Sequence, residues 1–125
     1  KDMAADVDFL VLTCLGSAKT THIIDYDVLL KLGPAGFLIN VARGYVVKQD
    51  DLLVALRNKA IAGAGLDVYE GEPHVPDALL KMDNVVLTPH IGSATIETRT
   101  KMGQIVVENL IAHFEGEPLR SLVGA

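Results

Sequence analysis

One guanidinium, several carboxylates and one imidazole stand where apolar runs of this sequence give out. Arg43 follows GFLINVA at 36–42, Asp67 with Glu70 and Glu72 follows IAGAGL at 61–66, and His90 follows NVVLTP at 84–89. A planar guanidinium presents paired donors that match a carboxylate, so Arg43 on a short turn is suited to hold an anionic substrate in one orientation; a lysine does this less well. An imidazole with a carboxylate behind it becomes a better proton carrier, because the negative charge stabilises the imidazolium and the hydrogen bond fixes the ring tautomer. His90 and Glu72 are candidates for that pair, on the condition that both project to the same side of one crevice.

A scaffold must bring these residues together, and strand-like and helix-like segments alternate along the whole chain, which reads as α/β. Apolar runs predict strands at 8–13, 36–41, 61–68 and 84–90. Between them, Asp25 offers an N-cap to a short helix ending at Gly33-Pro34. Gln49-Asp50 introduces a second helix with a Leu52, Leu53, Leu56 stripe, and PDALLKM is a one- or two-turn helix with Pro76 at its start. The longest helical pattern runs from 95 to 115, with Ile105, Val106, Leu110 and Phe114 at intervals of three and four. Strands that are apolar throughout suit a parallel sheet covered by helices on both faces, so an open doubly wound sheet of about four strands is expected. Ligands of such sheets bind beyond the carboxyl ends of the strands. The chemistry is therefore expected at Thr13-Cys14, Ala42-Arg43-Gly44, Asp67 with Glu70 and Glu72, and His90 with Gly92 and Ser93.

Composition narrows the partners. The 125 residues set a ceiling of one compact core, and 50% hydrophobic with 22% charged residues is the balance of a globular chain. Eleven Lys and Arg against sixteen Asp and Glu give a net charge of −5 with no basic block, which argues against nucleic acid. The apolar runs fall short of the roughly 18 residues a spanning helix needs and no leader is evident, so no membrane partner and a cytoplasmic location are expected. The single Cys14 excludes an internal disulfide and removes most zinc patterns, and no metal site is expected. The chain opens at Lys1 directly into structure, as a segment of a longer protein would.

The strings INVARG at 39–44, GAGLDVYEGEP at 63–73 and LTPHIGSAT at 87–95 resemble the signatures of the D-isomer-specific 2-hydroxyacid dehydrogenases. Within that family the chain is most similar to glyoxylate, hydroxypyruvate and hydroxyphenylpyruvate reductases. The likeness runs from about residue 8 to residue 120, and the separation of Arg43 and Glu72 agrees with the family's spacing. The resemblance implies an NAD- or NADP-dependent oxidoreductase that reduces a small 2-oxo acid to the D-2-hydroxy acid. It implies that Arg43 binds the substrate carboxylate and polarises the 2-oxo group, that His90 is the acid/base and that Glu72 supports His90. It further implies that Thr13, Cys14, Val41, Ala42, Arg43, Asp67, His90, Gly92 and Ser93 meet the nicotinamide end of the dinucleotide. Relatives often carry Thr and then Pro where this chain has Cys14 and Leu15. An ionisable Glu72, where the related formate dehydrogenases carry Gln, favours hydroxyacid chemistry.

No G-x-G-x-x-G occurs in the sequence. The resemblance implies why: residues 1–95 correspond to the second half of a Rossmann-type dinucleotide-binding domain, and 96–125 to a terminal helix and tail that return to the substrate domain. The glycine fingerprint and the substrate domain would lie upstream, the 125 residues alone are expected to turn over negligibly, and the full-length protein is expected to be a homodimer. Gly63-Ala64-Gly65 lies inside a strand and reads as close packing, not as a phosphate loop. Glu70, His22, His74 and His113 are expected to be solvated, and Cys14 to be a small buried hydrophobe. Two other readings stay open at this point: a non-enzymatic dinucleotide-sensing relative such as a corepressor of this fold, and a hydrolytic or metal site built from Asp67, Glu72 and His90.

Overall fold

The computed structural model describes residues 2–122, which fall into two units that divide after His90. The first unit holds β1 (Phe9–Leu12), α1 (Tyr26–Leu32), β2 (Phe37–Asn40), α2 (Gln49–Arg57), β3 (Gly63–Leu66), α3 (Asp77–Leu80) and β4 (Val85–Leu87). The four strands form one parallel sheet in the order β1-β2-β3-β4, with Phe9 beside Phe37, Phe37 beside Gly63 and Gly65 beside Val86. Short 3₁₀ segments at Asp2–Asp6 and Gly44–Val46, which hydrophobic periodicity does not signal, complete it. All four strands therefore end their carboxyl termini on one edge, which is where the chemistry-bearing loops leave the sheet.

The first crossover helix starts as its sequence requires. Asp25 takes extended backbone and its Oδ1 accepts from Val28 N at 3.0 Å, satisfying one of the amides that a helix start leaves unpaired. Asp51 of α2 then accepts from Tyr26 N at 3.0 Å, tying the two helix starts together. Val28, Leu29 and Leu32 of α1 and Leu52, Ala55 and Leu56 of α2 are buried in one core with Leu10, Leu12, Leu38 and Leu66 of the strands. Each fully buried leucine contributes about 1.5–3 kcal/mol, and this layer fixes the sheet edge that carries the site.

The strands depart from the expected pattern of burial on both faces. In β1, Leu10 and Leu12 are buried while Phe9 and Val11 are exposed; Phe37 and Val86 are exposed in the same sense, and the Phe9 and Phe37 rings stack 5.3 Å apart. Helices α1 and α2 pack on one face, so the residues of β1 and β2, apolar without alternation in sequence, alternate in burial.

The second unit is α4 (Ile96–Glu115), started by Thr95, whose side chain accepts from Thr98 N, and ended at Gly116. Its tail folds back on it: Ser121 N donates to Asn109 Oδ1, and Arg120 pairs with Glu108. None of its residues is buried, and Met102, Val106, Leu110 and Phe114 stand as an exposed apolar stripe. Among the described residues no helix is long and apolar enough to cross a membrane.

Candidate active site

The ends of β3 and β4 are stapled before the site begins. Asp67 N donates to Asn40 O and Thr88 N to Leu66 O, each extending the ladder past the last strand residue. Thr88 Oγ1 donates to Asp67 Oδ1 at 2.6 Å, holding a carboxylate that is almost fully buried. The Tyr69 hydroxyl lies 3.0 Å from Leu66 O and 2.8 Å from Thr88 O, and burial pushes its phenol pKa up, which keeps the proton needed to bridge these carbonyls.

On this platform Glu72 and His90 meet. Glu72 Oε1 accepts from Tyr69 N at 3.0 Å, and Oε2 lies 2.7 Å from His90 Nδ1. The bond to His90 holds the Glu72 carboxyl below the usual glutamate range; burial opposes this, and the Tyr69 amide reinforces it. His90 has φ +55°, in the left-handed region where few non-glycine residues sit but where histidine is enriched, and its own N–H turns back to Thr88 O. Because Nδ1 is engaged by Glu72, a neutral ring that donates there presents its lone pair at Nε2, and the imidazolium presents a proton there. An open recess of about 380 Å³ borders this pair, lined by Tyr69, Glu72, Pro73, Val75, Pro89 and His90.

Arg43 leaves the end of β2 on a turn braced from below by Asn40, which is buried. Asn40 Nδ2 donates to Arg43 O and its Oδ1 accepts from Ala42 N, both at 3.1 Å. The guanidinium donates from Nη1 to Ala42 O at 2.6 Å, and no carboxylate among the described residues pairs with it. An exposed arginine with no internal counter-ion is free to hold an external anion. The next residue is glycine for a geometric reason: a Cβ on Gly44 would stand 1.9 Å from Tyr69 O. The Arg43 turn thus lies directly against the segment that leads to Glu72. Gly44→Ala is expected to push these two segments apart and to cost on the order of 1–3 kcal/mol, read as a lower urea midpoint; an unchanged midpoint would contradict the close approach.

The remaining sequence candidates distribute as follows. Thr13 and Cys14 are exposed just past β1, Val41 is exposed and Ala42 buried at the end of β2, and Gly92 and Ser93 are exposed in the second unit. Cys14 is therefore not the buried hydrophobe expected, because β1 stops at Leu12 and the chain has already left the sheet. His74 and His113 are solvated. His22 and Glu70 are not simply solvated: His22 Nε2 and Glu70 Oε1 lie 2.8 Å apart. Forty-eight positions separate them, and no local pattern signals the contact.

The carboxyl edge of this parallel sheet carries a carboxylate-backed imidazole and a guanidinium with no carboxylate partner among the described residues, at the edge where open α/β sheets bind their ligands. The chain belongs to the D-isomer specific 2-hydroxyacid dehydrogenase family, whose NAD binding domain matches residues 1–92. It is 50% identical over 118 residues to hydroxyphenylpyruvate reductase of Plectranthus scutellarioides and 48% identical over 118 residues to a glyoxylate/hydroxypyruvate reductase of Arabidopsis thaliana, covering 94% of this chain in each case. The chain spans 38% of the length of these two curated relatives. The structure superposes with a TM-score of 0.94 on an NADPH-dependent glyoxylate/hydroxypyruvate reductase of Sinorhizobium meliloti in complex with NADP and malonate, at 48% identity over 98% of this chain and 38% of that one. D-mandelate dehydrogenase of Rhodotorula graminis also matches with a TM-score of 0.94, at 34% identity over 98% of this chain and 36% of that one.

Proposed function

We propose that the full-length protein containing this chain reduces a small 2-oxo acid, of the glyoxylate or hydroxypyruvate type, to the D-2-hydroxy acid with NADH or NADPH. The observation that carries this reading is the 2.7 Å contact of His90 with Glu72 on the same sheet edge as Arg43, with which no carboxylate among the described residues pairs. The relatives support it, since those above are named as reductases of glyoxylate, hydroxypyruvate or hydroxyphenylpyruvate or as a dehydrogenase of D-mandelate. Residues 1–95 form the second half of the dinucleotide-binding domain, and 96–125 the helix and tail that return to a substrate domain. The working enzyme is a cytoplasmic homodimer acting on a small acid, without nucleic acid or membrane as partner.

The residues present fit the nicotinamide end of the cofactor. Asp67, braced by Thr88, supplies an acceptor for a carboxamide N–H, and the loops that leave β1 and β2 at Thr13, Cys14 and Val41 are open. Thr13, Cys14, Asp67, His90 and the backbone of Val41–Arg43 would hold that end. When bound, the reduced nicotinamide supplies the hydride. Arg43 holds the substrate carboxylate and offsets negative charge that develops on the 2-oxo oxygen, and His90 Nε2 delivers the proton to that oxygen. Glu72 keeps Nδ1 engaged and stabilises the imidazolium in position.

Glu72→Gln keeps a hydrogen-bonding partner for the ring but removes the charge, so the pH dependence of reduction is expected to change with only a modest loss at the optimum. The sign for stability follows from the lowered Glu72 pKa: the contact stabilises the fold above the ordinary glutamate range and ceases to do so as the pH falls through the lowered value. The variant is therefore expected to lose part of the parent's acid sensitivity, and an unaltered profile would contradict the pairing. Consumption of NADH or NADPH by the full-length enzyme, followed with glyoxylate, hydroxypyruvate and an aryl pyruvate, tests the activity itself; no turnover with any of them would refute it. Residues 1–125 alone are expected to give negligible turnover.

A further inference from the structure

We infer that His22 and Glu70 form a positioning clasp that holds the Arg43 turn and the Glu72 loop in working register; this rests on the catalytic reading above. Three segments meet at the pair. His22 Nε2 lies 2.8 Å from Glu70 Oε1, and Glu70 Oε2 accepts from Gln49 N, the first residue of α2, at 3.4 Å. The His22 amide donates to Tyr45 O at 2.8 Å, two residues after Arg43, and Ile24 bridges Val47 in parallel beside it. His22 is held at φ +53°, an uncommon conformation for a residue with a side chain.

The link to the reacting groups is short. Glu70-Gly71-Glu72 places two carboxylates around a glycine at φ +90°, and each carboxylate meets a different histidine: Glu70 meets His22, and Glu72 meets His90. The positive φ requires glycine between them and lets the two acids diverge. Fixing Glu70 from the His22 side fixes the backbone that aims Glu72 at His90, and the same histidine fixes the carbonyl of Tyr45 behind Arg43. Neither His22 nor Glu70 touches a reacting group, so their role is positional. Both side chains are more than a third exposed, at 39% and 38%, so the pair adds little as a salt bridge, and its value lies in geometry.

The test uses the full-length enzyme with glyoxylate and NADPH. Glu70→Ala and His22→Ala are each expected to lower kcat by on the order of tenfold to a hundredfold with a smaller change in the KM for NADPH, since misplacement by about 1 Å can cost that much. Glu70→Gln, which keeps an acceptor oxygen, is expected to recover most of the loss, and the double alanine variant to be no slower than the worse single one. Independently of activity, amide exchange at Tyr69, whose N–H bonds to Glu72, is expected to quicken in either alanine variant. Parent kcat and parent Tyr69 exchange in a folded alanine variant would overturn the clasp, as would Glu70→Gln being as slow as Glu70→Ala. If Glu70→Ala does not fold, His22→Ala and Glu70→Gln decide it. A parent enzyme inactive on every 2-oxo acid would instead refute the catalytic reading, and the exchange rates would still decide the clasp.

Discussion

Replacing His90 by alanine in the full-length enzyme is expected to lower kcat for 2-oxo acid reduction by about 10²- to 10⁴-fold, the range typical of a lost general acid. In the proposed reduction the ring delivers the proton from Nε2, since Nδ1 is engaged by Glu72 at 2.7 Å. Water can replace it only poorly, because it arrives without orientation and without a carboxylate to stabilise its charged form. His90→Gln tests the same point without opening a void, since glutamine donates a hydrogen bond but cannot transfer a proton at neutral pH. Steady-state kinetics on both variants, with folding checked by circular dichroism, gives the answer; parent-like rates in either one would remove His90 from the chemistry.

The second large effect is expected at Arg43. Arg43→Ala should lower kcat/KM by about 10²- to 10³-fold, the scale found when one preorganised donor to a developing oxyanion is removed. Arg43→Lys should lie between the variant and the parent, because an ammonium keeps the charge but loses the paired donors that orient a carboxylate. The structure gives a reason for a rise in KM as well as a fall in kcat: no carboxylate among the described residues neutralises this guanidinium, so an incoming acid meets no competitor among them. An Arg43→Ala enzyme with unchanged KM for glyoxylate would show that the substrate acid is held elsewhere.

The order of strands and helices was legible because each boundary carries local chemistry. Asp25 at a helix start, Gly33-Pro34 at its end and Pro76 before a short helix are local signals, and the structure starts α1 and α3 within a residue of them. What escaped the sequence depends on contacts across the chain. Phe9, Val11, Phe37 and Val86 are as apolar as their buried neighbours, so composition cannot tell which of them α1 and α2 leave uncovered. The His22–Glu70 contact joins residues separated by two helices and two strands, and nothing near either one announces the other. Gly44 looks like an ordinary turn glycine until the backbone of Tyr69 is found against it. The pairing of His90 with Glu72 is legible from residue type and from their places after successive strands, as a condition on geometry, and the 2.7 Å contact meets that condition.

The measurement that bears most directly on shared action by Arg43 and His90 is a crystal structure of the full-length enzyme with a nicotinamide dinucleotide and oxamate, a non-reacting mimic of a 2-oxo acid. The expected result is an oxamate carboxylate in the fork of Arg43 and its carbonyl oxygen within about 3 Å of His90 Nε2, with Glu72 still on Nδ1. Oxamate bound away from Arg43, or a His90 ring turned from it while Arg43 holds the acid, would contradict a common site.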